Sequence, residues 1–326
     1  YISFLISSII MGPFLLRKVK PDVVFCVNYS PATVGIVGVV FSRLKKASLF
    51  LWVQDLWPDS LVATGAIRSE FILSGISSMV RWIYRKSDLI FVQSKDFFDS
   101  IIALNADGIS KIRYFPNWAE DTFRDDGGSA DCSFADLIPD SKFIIMFAGN
   151  LGVAQSLLTI VRAAALTRDH PIHWVFLGDG RQKRWLEQAV SDAGLQHNIS
   201  ILGRYPLEDM PVFFKLADVM LVTLKRNPAF AMTVPGKIQS YLSSGKPILS
   251  SLDGAGAAVI EDSGAGVNVG TEDFIGLADA ALKMSIMSGK DLGQMSSNAK
   301  DYYAKNFDVD VLLSQFEMAV HLDCGK

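Results

Sequence analysis

The sequence predicts an α/β protein made of two doubly wound parallel sheets. Three observations support this: short apolar runs alternate with helical segments, one polar segment interrupts the alternation, and 326 residues, 50% of them hydrophobic, suffice for two cores. Strands that alternate with helices are typical of βαβ units, whose strands lie parallel. We therefore expect a first domain at 1–125, a linker at 126–141, a second domain at 142–305 and a C-terminal helix at 306–326.

The chain begins with a nearly all-apolar segment, residues 1–16, which runs into basic residues at positions 17, 18 and 20. The segment is shorter than the roughly 20 residues that span a membrane, and Gly12-Pro13 interrupts it. It also lacks the charge layout and the cleavage site of a signal peptide. We therefore expect a buried or interfacial helix.

The remaining elements follow from the apolar pattern. Apolar runs that suit buried strands lie at 22–27, 47–53, 88–93 and 111–116 in the first half, and at 142–149, 172–178, 198–203, 218–224, 246–251 and 265–270 in the second. Helices are predicted at 32–44, 69–86, 95–104, 154–168, 181–194, 207–216, 234–244, 255–261, 271–287, 290–305 and 309–322. The Gly-, Ser- and Asp-rich stretch between the two halves is predicted to be the linker.

The composition argues against nucleic acid as the main partner and against a metal site. The formal net charge is −3, which is not the basic balance of a protein whose main partner is nucleic acid. Cys26, Cys132 and Cys324 lie far apart and match no metal spacing, which indicates a reducing, cytoplasmic compartment. His170 and His173 lie close in sequence, but nothing nearby completes a ligand set, so no metal is expected.

Glycine-bearing turns follow the strands of the second half. They are GNLGVAQS at 149–156, GDGRQKR at 178–184, GRYPLEDMP at 203–211 and SLDGAGA at 251–257. Such turns let backbone N–H groups approach a phosphate, and they share the carboxyl edge of the sheet, so we expect a ligand in the crevice between the domains. Each turn alone is better explained as an ordinary βα connection. Together with Arg181, Arg204 and Lys237 they predict an anionic ligand, a diphosphate.

The stretch TVPGKIQSYLSSGKP, residues 233–247, places a lysine in an unusual position. Pro235 and Gly236 suit the first turn of a helix, and Gly245 suits its end. Lys237 therefore lies in the first turn, where the helix dipole disfavours a cation. A bound anion would account for this lysine, and a solvated surface lysine is the alternative.

Four segments of the second half, in this order and spacing, resemble the donor-binding domain of glycosyltransferase family 4: FAGNLGVAQSL, FLGDGRQKRWLE, LGRYPLEDMPVFFKLADVMLV and TVPGKIQSYLSSGKPI. In the first half, KPDVVFCVNYSPATVGI and LWVQDLWPDSLVATG resemble a branch that includes the N-acetyl-L-fucosamine transferases of bacterial O-antigen and capsule assembly. The resemblance implies a GT-B fold, in which two Rossmann-like doubly wound domains face each other across a cleft, with the first domain truncated at its N-terminus. It also implies retention at the anomeric carbon and no metal or other cofactor.

The resemblance further implies roles for individual residues. Lys237 would contact the donor diphosphate and Asp55 would face the transferred sugar, so both are catalytic candidates. Asp59 and Asn117 would lie on the acceptor side. The other donor-binding candidates would surround the diphosphate and the nucleoside: Gly149, Asn150, Gly152, Gln155, Gly178, Asp179, Gly180, Arg181, Arg204, Val234, Pro235, Gly236 and Gln239.

Two departures from the family pattern bear on the donor. Many members carry a Glu-x7-Glu pair that binds ribose and sugar hydroxyls, and the aligned residues here are Met232 and Ser240. Where many members have an arginine and a lysine for the diphosphate, this chain has Asn150 and Gln155. Both changes leave Lys237 with more of the phosphate neutralisation.

We expect a retaining transferase that moves a sugar from a UDP-sugar to a lipid-diphosphate-linked saccharide in bacterial surface polysaccharide assembly. As UDP leaves, charge builds on its diphosphate, where N–H groups and a lysine at a helix start would stabilise it. No pair of carboxylates suits the double displacement of a hydrolase. The alternatives are a nucleotide-binding subunit of an assembly complex, and a nucleotide-sugar epimerase, for which the expected acidic, basic and histidine residues are not evident.

Basic residues in the first half point to a second partner. Basic and aromatic residues mix in MVRWIYRK at 79–86, and further basic residues lie at 17–20 and 43–46. With the apolar helix at 1–16, they predict contact with an anionic membrane surface. The resemblance implies that this surface is the inner face of the bacterial plasma membrane, so we expect a cytoplasmic, peripheral protein. A solvated face over a buried helix is the alternative.

Overall fold

The computed structural model describes residues 2–104, 106–123, 132–139 and 142–324. The chain divides into two compact units. The first unit runs to Pro116 and also includes the residues from Leu312 onward, and the second unit comprises Asn117–Val311.

The first unit contains a four-stranded parallel sheet of order β1-β2-β3-β4. Its strands are β1 Val23–Asn28, β2 Ser48–Val53, β3 Leu89–Val92 and β4 Ile112–Tyr114. Its helices are α1 Ile2–Leu15, α2 Val34–Lys45, α3 Asp59–Ala63, α4 Glu70–Lys86 and α5 Phe97–Leu104.

The second unit contains, within the described residues, a six-stranded parallel sheet of order β10-β9-β8-β5-β6-β7. Its strands are β5 Phe143–Ala148, β6 Ile172–Leu177, β7 Ile199–Gly203, β8 Val219–Thr223, β9 Ile248–Ser251 and β10 Gly266–Val269. Its helices are α6 Leu157–Leu166, α7 Lys183–Asp192, α8 Met210–Leu216, α9 Pro228–Ala231, α10 Gly236–Ser243, α11 Ala255–Ser263, α12 Phe274–Ser285 and α13 Gly289–Asn306. The last helix, α14 Val309–Cys324, begins in this unit and continues in the first.

The sheet of the second unit is covered on both faces. Along β5, Ile144, Met146 and Ala148 face one hydrophobic core, whereas Ile145 and Phe147 face the other. Because both faces of such a strand are buried, its sequence is a continuous apolar run rather than an alternating one. This is why the apolar runs locate the strands correctly, and all ten predicted strands are confirmed.

Three features of the chain's organisation differ from the sequence-based expectation. The units divide after Pro116 rather than near 125, because Ala119 and Phe123 are already buried in the core of the second unit. Half of the predicted linker lies outside the described residues, and its described part, 132–139, holds a 3₁₀ turn, Cys132–Leu137. The C-terminal helix is not separate: Phe316 packs against the rings of Phe25 and Phe91 in the first unit, with centroid distances of 5.0 and 5.2 Å.

The expected interruption of the N-terminal helix at Gly12-Pro13 is wrong. Helix α1 continues through Pro13 to Leu15. Pro13 has no N–H to donate to the carbonyl of Ile9, so this helix loses one intrahelical hydrogen bond there, and it ends two residues later. Among the described residues, none of the helices combines the length and apolar character needed to cross a bilayer.

Candidate functional site

The strand order of the second unit locates the site. Strand β5 lies between β6 and β8, so the chain builds outward from β5 in one direction and later in the other. In open α/β sheets, ligands bind beyond the carboxyl ends of the strands where the order reverses in this way. The turn after β5 and the connection after β8 therefore border the expected site.

A cavity of about 490 Å³ opens at this edge of the second unit. Its volume lies within the range of small-molecule sites, and most of its lining is apolar with a few polar groups. Six of the sequence-predicted donor residues line it: Gly149, Asn150, Gly178, Asp179, Arg204 and Lys237.

Two glycines allow the loops to approach closely at this cavity. Gly149 has a φ of 133°, and a Cβ there would lie 2.7 Å from Lys237 Cε. Gly178 has a φ of 140°, and a Cβ there would overlap the carbonyl oxygen of Gly149. Both positions therefore require glycine, for backbone conformation and for space.

Backbone hydrogen bonds join the turns after β5, β6 and β7. Gly149 N donates to Leu177 O over 2.8 Å, and Gly178 N donates to Gly203 O over 2.7 Å. Leu151 N donates to the carbonyl of Asp179 over 2.8 Å. The turns therefore form one connected wall, and the ligand-facing groups are held before a ligand arrives.

Lys237 is the main charged group of the cavity. Its Nζ donates to Gln155 Oε1 over 2.8 Å and lies 3.7 Å from the centroid of the Phe147 ring. Burial lowers the pKa of this ammonium group from 10.5 to about 7. Within the described part of the chain no carboxylate pairs with Lys237, so an anionic ligand would supply its missing partner.

Helix α10 holds Lys237 in this position. Its N-cap residue is Pro235, and no side chain caps its first N–H groups. Gln239 is fully buried, and the amide orientation that satisfies its surroundings has its nitrogen donating to Pro235 O and Gly236 O over 3.0 and 3.2 Å. Tyr241 Oη accepts from Ala148 N over 3.0 Å and donates to Ala148 O over 3.1 Å, which fixes the helix to the end of β5.

The other predicted donor residues lie around the cavity rather than in its lining. Gln155 reaches Lys237, and its own carbonyl accepts from Thr223 Oγ1 over 2.5 Å. Val234 is buried, and Gln239 fixes the turn before α10. The remaining residues are outside the lining: Gly152, Gly180, Arg181, Pro235 and Gly236.

Sequence reasoning did not identify several lining residues. They are Glu120, Phe123, Ala148, Leu177, Tyr205, Leu207, Met210, Phe214, Ser240 and Tyr241. Most are apolar and belong to elements predicted from their hydrophobic pattern. That pattern predicts which side chains are buried, but it does not show which of the buried side chains also line a cavity. The one sequence signal at Ser240 is that many family members have a glutamate at the aligned position.

The predicted residues of the first unit lie near the carboxyl end of β2. Asp55 Oδ2 accepts a hydrogen bond from Trp57 Nε1 over 3.2 Å. Desolvation raises the pKa of Asp59, at the start of α3. Burial raises the pKa of Tyr84, and the charges of Asp59 and Asp55 raise it further, so both carboxylates lie near this phenol. Asn117, the other acceptor-side candidate, belongs to the second unit.

Within the described residues, no group of three histidine, cysteine, aspartate or glutamate side chains could hold a metal ion.

Comparisons with known proteins agree with this arrangement. Residues 142–285 match the family model described as Glycosyl transferases group 1. The chain is 25% identical over 345 residues to the putative colanic acid biosynthesis glycosyl transferase WcaI of Escherichia coli (strain K12), an alignment that covers 96% of this chain and 77% of the relative. The segment 142–285 is therefore a glycosyl transferase group 1 domain, and the protein is a glycosyltransferase.

Solved structures show the same fold. Anabaena Alr3699/HepE in complex with UDP superposes with a TM-score of 0.79 at 14% identity, covering 96% of this chain and 81% of that one. The same protein with UDP-glucose gives 0.77 at 16% identity, with the same coverage. Sucrose-phosphate synthase from Thermosynechococcus elongatus also gives 0.77 at 16%, covering 99% of this chain and 79% of that one. The predicted α/β fold of GT-B type is confirmed.

Proposed function

We propose that this glycosyltransferase moves a sugar, with retention, from a UDP-sugar to a lipid-diphosphate-linked saccharide in bacterial surface polysaccharide assembly. The observation that carries the proposal is the buried Lys237 ammonium group, which faces a nucleotide-sized cavity and has no carboxylate partner within the described residues. The UDP and UDP-glucose complexes of the Anabaena protein support the choice of donor, and the colanic acid name of the E. coli relative supports the pathway class. N-acetyl-L-fucosamine, implied by the sequence resemblance, is the donor sugar to test first.

Lys237 has a direct role in this proposal. Breaking the glycosidic bond leaves negative charge on the β-phosphate of UDP, and a preorganised cation stabilises that charge as it develops. Because the pKa of Lys237 is about 7, the arriving diphosphate would also favour its protonated form. The uncapped N–H groups of α10 would face the same anion.

Gln155 would position the ammonium group rather than neutralise the phosphate. Its Oε1 accepts from Lys237 Nζ, and its carbonyl is held by Thr223 Oγ1. A neutral acceptor fixes the lysine without competing with the ligand as a counter-ion. Glutamine in the loop after β5 would therefore orient Lys237, whereas a second cation there would itself contact the phosphate.

Asp55 is proposed to face the transferred sugar from the first unit. It follows β2 at the carboxyl edge of the sheet, and Trp57 Nε1 holds one of its carboxylate oxygens. The other oxygen would accept a hydrogen bond from a sugar hydroxyl. Asp59 and Asn117 are proposed to contact the acceptor.

Helix α1 is proposed to bind the surface of an anionic membrane, where a lipid-linked acceptor would be found. Several of its apolar side chains are more than half exposed: Phe4, Ile6, Ile10, Met11, Phe14 and Leu15. Arg17 lies over the Phe14 ring at 5.0 Å, and Lys45 Nζ donates to Leu16 O over 2.5 Å, so cations border this apolar surface. Apolar and basic groups together are what an anionic bilayer surface attracts.

Thermal unfolding with UDP, GDP and ADP tests the donor. Free UDP at about 100 times its Kd should stabilise the protein by about 2.7 kcal/mol. Lys237→Met, which keeps the buried volume but removes the charge, should abolish this stabilisation. Lys225→Met is the matched control, because Lys225 lies at the same sheet edge but outside the cavity. Stabilisation by none of the three nucleotides, or equal stabilisation of wild type and Lys237→Met, would contradict the proposal.

A nucleotide-binding subunit without transferase activity is the second candidate. The observation in its favour is that Ser240, rather than a carboxylate, lines the cavity on α10. The two candidates differ in turnover: a transferase releases UDP from a UDP-sugar when a lipid-diphosphate-linked acceptor is added, whereas a binding subunit does not.

A further inference from the structure

We propose that Glu120 binds a ribose hydroxyl of the donor nucleotide, so that the cavity selects ribonucleotides over deoxyribonucleotides. This inference rests on the proposed function, because it requires a nucleoside diphosphate in the cavity. Its basis is that Glu120 and Ser240 line the same cavity as Lys237. A carboxylate is thus present beside α10, although α10 itself does not provide it.

Glu120 reaches the cavity from a segment far from α10 in sequence. It directly precedes the 3₁₀ turn Asp121–Phe123, and that turn packs against α10. The carboxylate therefore enters from the start of the second unit, not from a loop that follows one of its strands.

The residues on either side of Glu120 hold it in place. Ala119 N donates to Tyr303 Oη over 3.2 Å, and Ala119 is buried. Phe123 is also buried and stacks on Phe214, with a centroid distance of 5.1 Å and an interplanar angle of 12°. Glu120 itself is exposed, and within the described residues its carboxylate has no protein partner. The backbone is thus fixed while the carboxylate remains available to a ligand.

The charged groups of the cavity suit different parts of a nucleotide. The pKa of Lys237 is lowered by burial, with no contribution from Glu120, so the carboxylate is not a counter-ion of the ammonium group. Asp179 also lines the cavity, but its Oδ1 accepts from Gly180 N over 2.7 Å and shapes that turn. A diphosphate suits Lys237, whereas a carboxylate repels phosphate and accepts hydrogen bonds from neutral hydroxyls.

A ribonucleoside diphosphate carries both kinds of group. Its phosphates are joined to a ribose with two hydroxyl donors, and a carboxylate is the usual partner of a ribose hydroxyl in nucleotide-binding α/β folds. Leu207, Met210 and Phe214 add apolar surface for the base. Glu120 is therefore a specificity residue for the sugar of the nucleotide.

Isothermal titration of the full chain with UDP, 2′-deoxy-UDP and 3′-deoxy-UDP tests the inference. Wild type should bind UDP about 10- to 100-fold more tightly than one of the two deoxy analogues, as expected for a hydrogen bond to a charged group. Glu120→Ala should weaken UDP binding to the level of that analogue and leave the binding of the analogue nearly unchanged. Glu120→Gln keeps the side-chain volume and replaces the carboxylate with a weaker acceptor. Its ratio of the Kd for the deoxy analogue to the Kd for UDP should lie between those of wild type and Glu120→Ala. This variant also tests the inference if the alanine variant does not fold.

The control is Glu208→Ala, because Glu208 is exposed, lies outside the cavity and gives the same change in charge. It should discriminate between UDP and the deoxy analogues as wild type does. The inference fails if wild type binds all three nucleotides equally, or if Glu120→Ala keeps the wild-type ratio. If wild type binds neither UDP nor GDP nor ADP, the proposed function fails, a result distinct from the failure of Glu120 alone.

Discussion

The carboxyl edges of the two sheets carry opposite kinds of polar group. In the second unit, the glycine turns at Gly149 and Gly178 line the same cavity as the Lys237 ammonium group. In the first unit, Asn28 at the end of β1 and Gln93 just after β3 are buried, and within the described residues Asn28 Oδ1 and Gln93 Oε1 have no hydrogen-bond partner. Asp55 follows the strand between them. One edge thus suits an anion, and the other suits hydroxyl donors.

This difference separates two steps that a transferase must combine. In the proposed function, binding of the diphosphate would depend on a cation and on backbone N–H groups, all of which belong to the second unit. Recognition of hydroxyl-rich sugars would depend on acceptor oxygens, which the first unit offers. Substitutions at the two edges should therefore have separable effects on nucleotide affinity and on transfer.

Comparing Lys237→Met with Asp55→Asn should give the largest effect. Removal of one preorganised donor from a developing oxyanion typically costs about 10²- to 10³-fold in kcat, and we expect a loss of that size for Lys237→Met, together with weaker UDP binding. Asp55→Asn should leave the Kd for UDP unchanged and lower transfer about 10- to 100-fold, because one charged acceptor of a sugar hydroxyl is lost. UDP titration and UDP release measure the two quantities.

A control and a contrary result sharpen this comparison. Asp22→Asn changes a carboxylate of the first unit that precedes β1, away from the carboxyl edge, and it should affect neither quantity. If Asp55→Asn weakened UDP binding as much as Lys237→Met does, the assignment of nucleotide binding to the second unit and of sugar recognition to the first would be contradicted.

The second effect concerns stability and pH. The pKa of Lys237 is about 7 in the folded protein and 10.5 when unperturbed, so between these values the unfolded chain binds more protons and stability rises with pH. The cost of burying the ammonium group is fully present below pH 7. Lys237→Met should therefore be more stable than wild type by roughly 2–4 kcal/mol near pH 7, less than the full shift implies because the cavity admits water. The gain should shrink by roughly 1.4 kcal/mol per pH unit as the pH rises above 7.

Urea denaturation of wild type and Lys237→Met at pH 6.5, 8 and 9.5 measures this gain. Groups other than Lys237 titrate in both proteins, so their contribution cancels in the difference between the two free energies of unfolding. Proton uptake on UDP binding at pH 8, obtained from titrations in buffers of different ionisation enthalpy, gives an independent measure. A gain in stability that is constant with pH would show that Lys237 does not titrate in this range.

The features of this site that depend on local chemistry were predictable from the sequence. Gly149 and Gly178 each follow an apolar run directly, which is where a parallel strand turns into its connection. Lys237 was recognisable because a cation in the first turn of a helix opposes the helix dipole. Those signals require only the neighbouring residues, so tertiary structure was not needed to find them.

The features that depend on tertiary packing were not predictable. Glu120 follows no strand of the second unit, and its place beside α10 depends on the contact between Phe123 and Phe214. Phe147, which lies against the Lys237 ammonium group, is part of a continuous apolar run in which no periodicity shows the direction of each side chain. For the same reason, the sequence does not show which apolar side chains line the cavity.

The smallest effect concerns the attachment of α10 to β5. Tyr241→Phe removes the hydroxyl that bonds both Ala148 N and Ala148 O, and it keeps the buried ring. Two buried backbone groups would then lack a partner, so the protein should lose about 1–3 kcal/mol of stability. UDP binding should weaken only a few-fold, because Lys237 keeps its contact with Gln155.

Tyr302→Phe is the matched control, because Tyr302 packs beside the same core from α13 without lining the cavity, and it should change neither stability nor UDP affinity. If Tyr241→Phe left stability and UDP affinity at their wild-type values, the end of β5 would not depend on this tyrosine for its position beside Lys237.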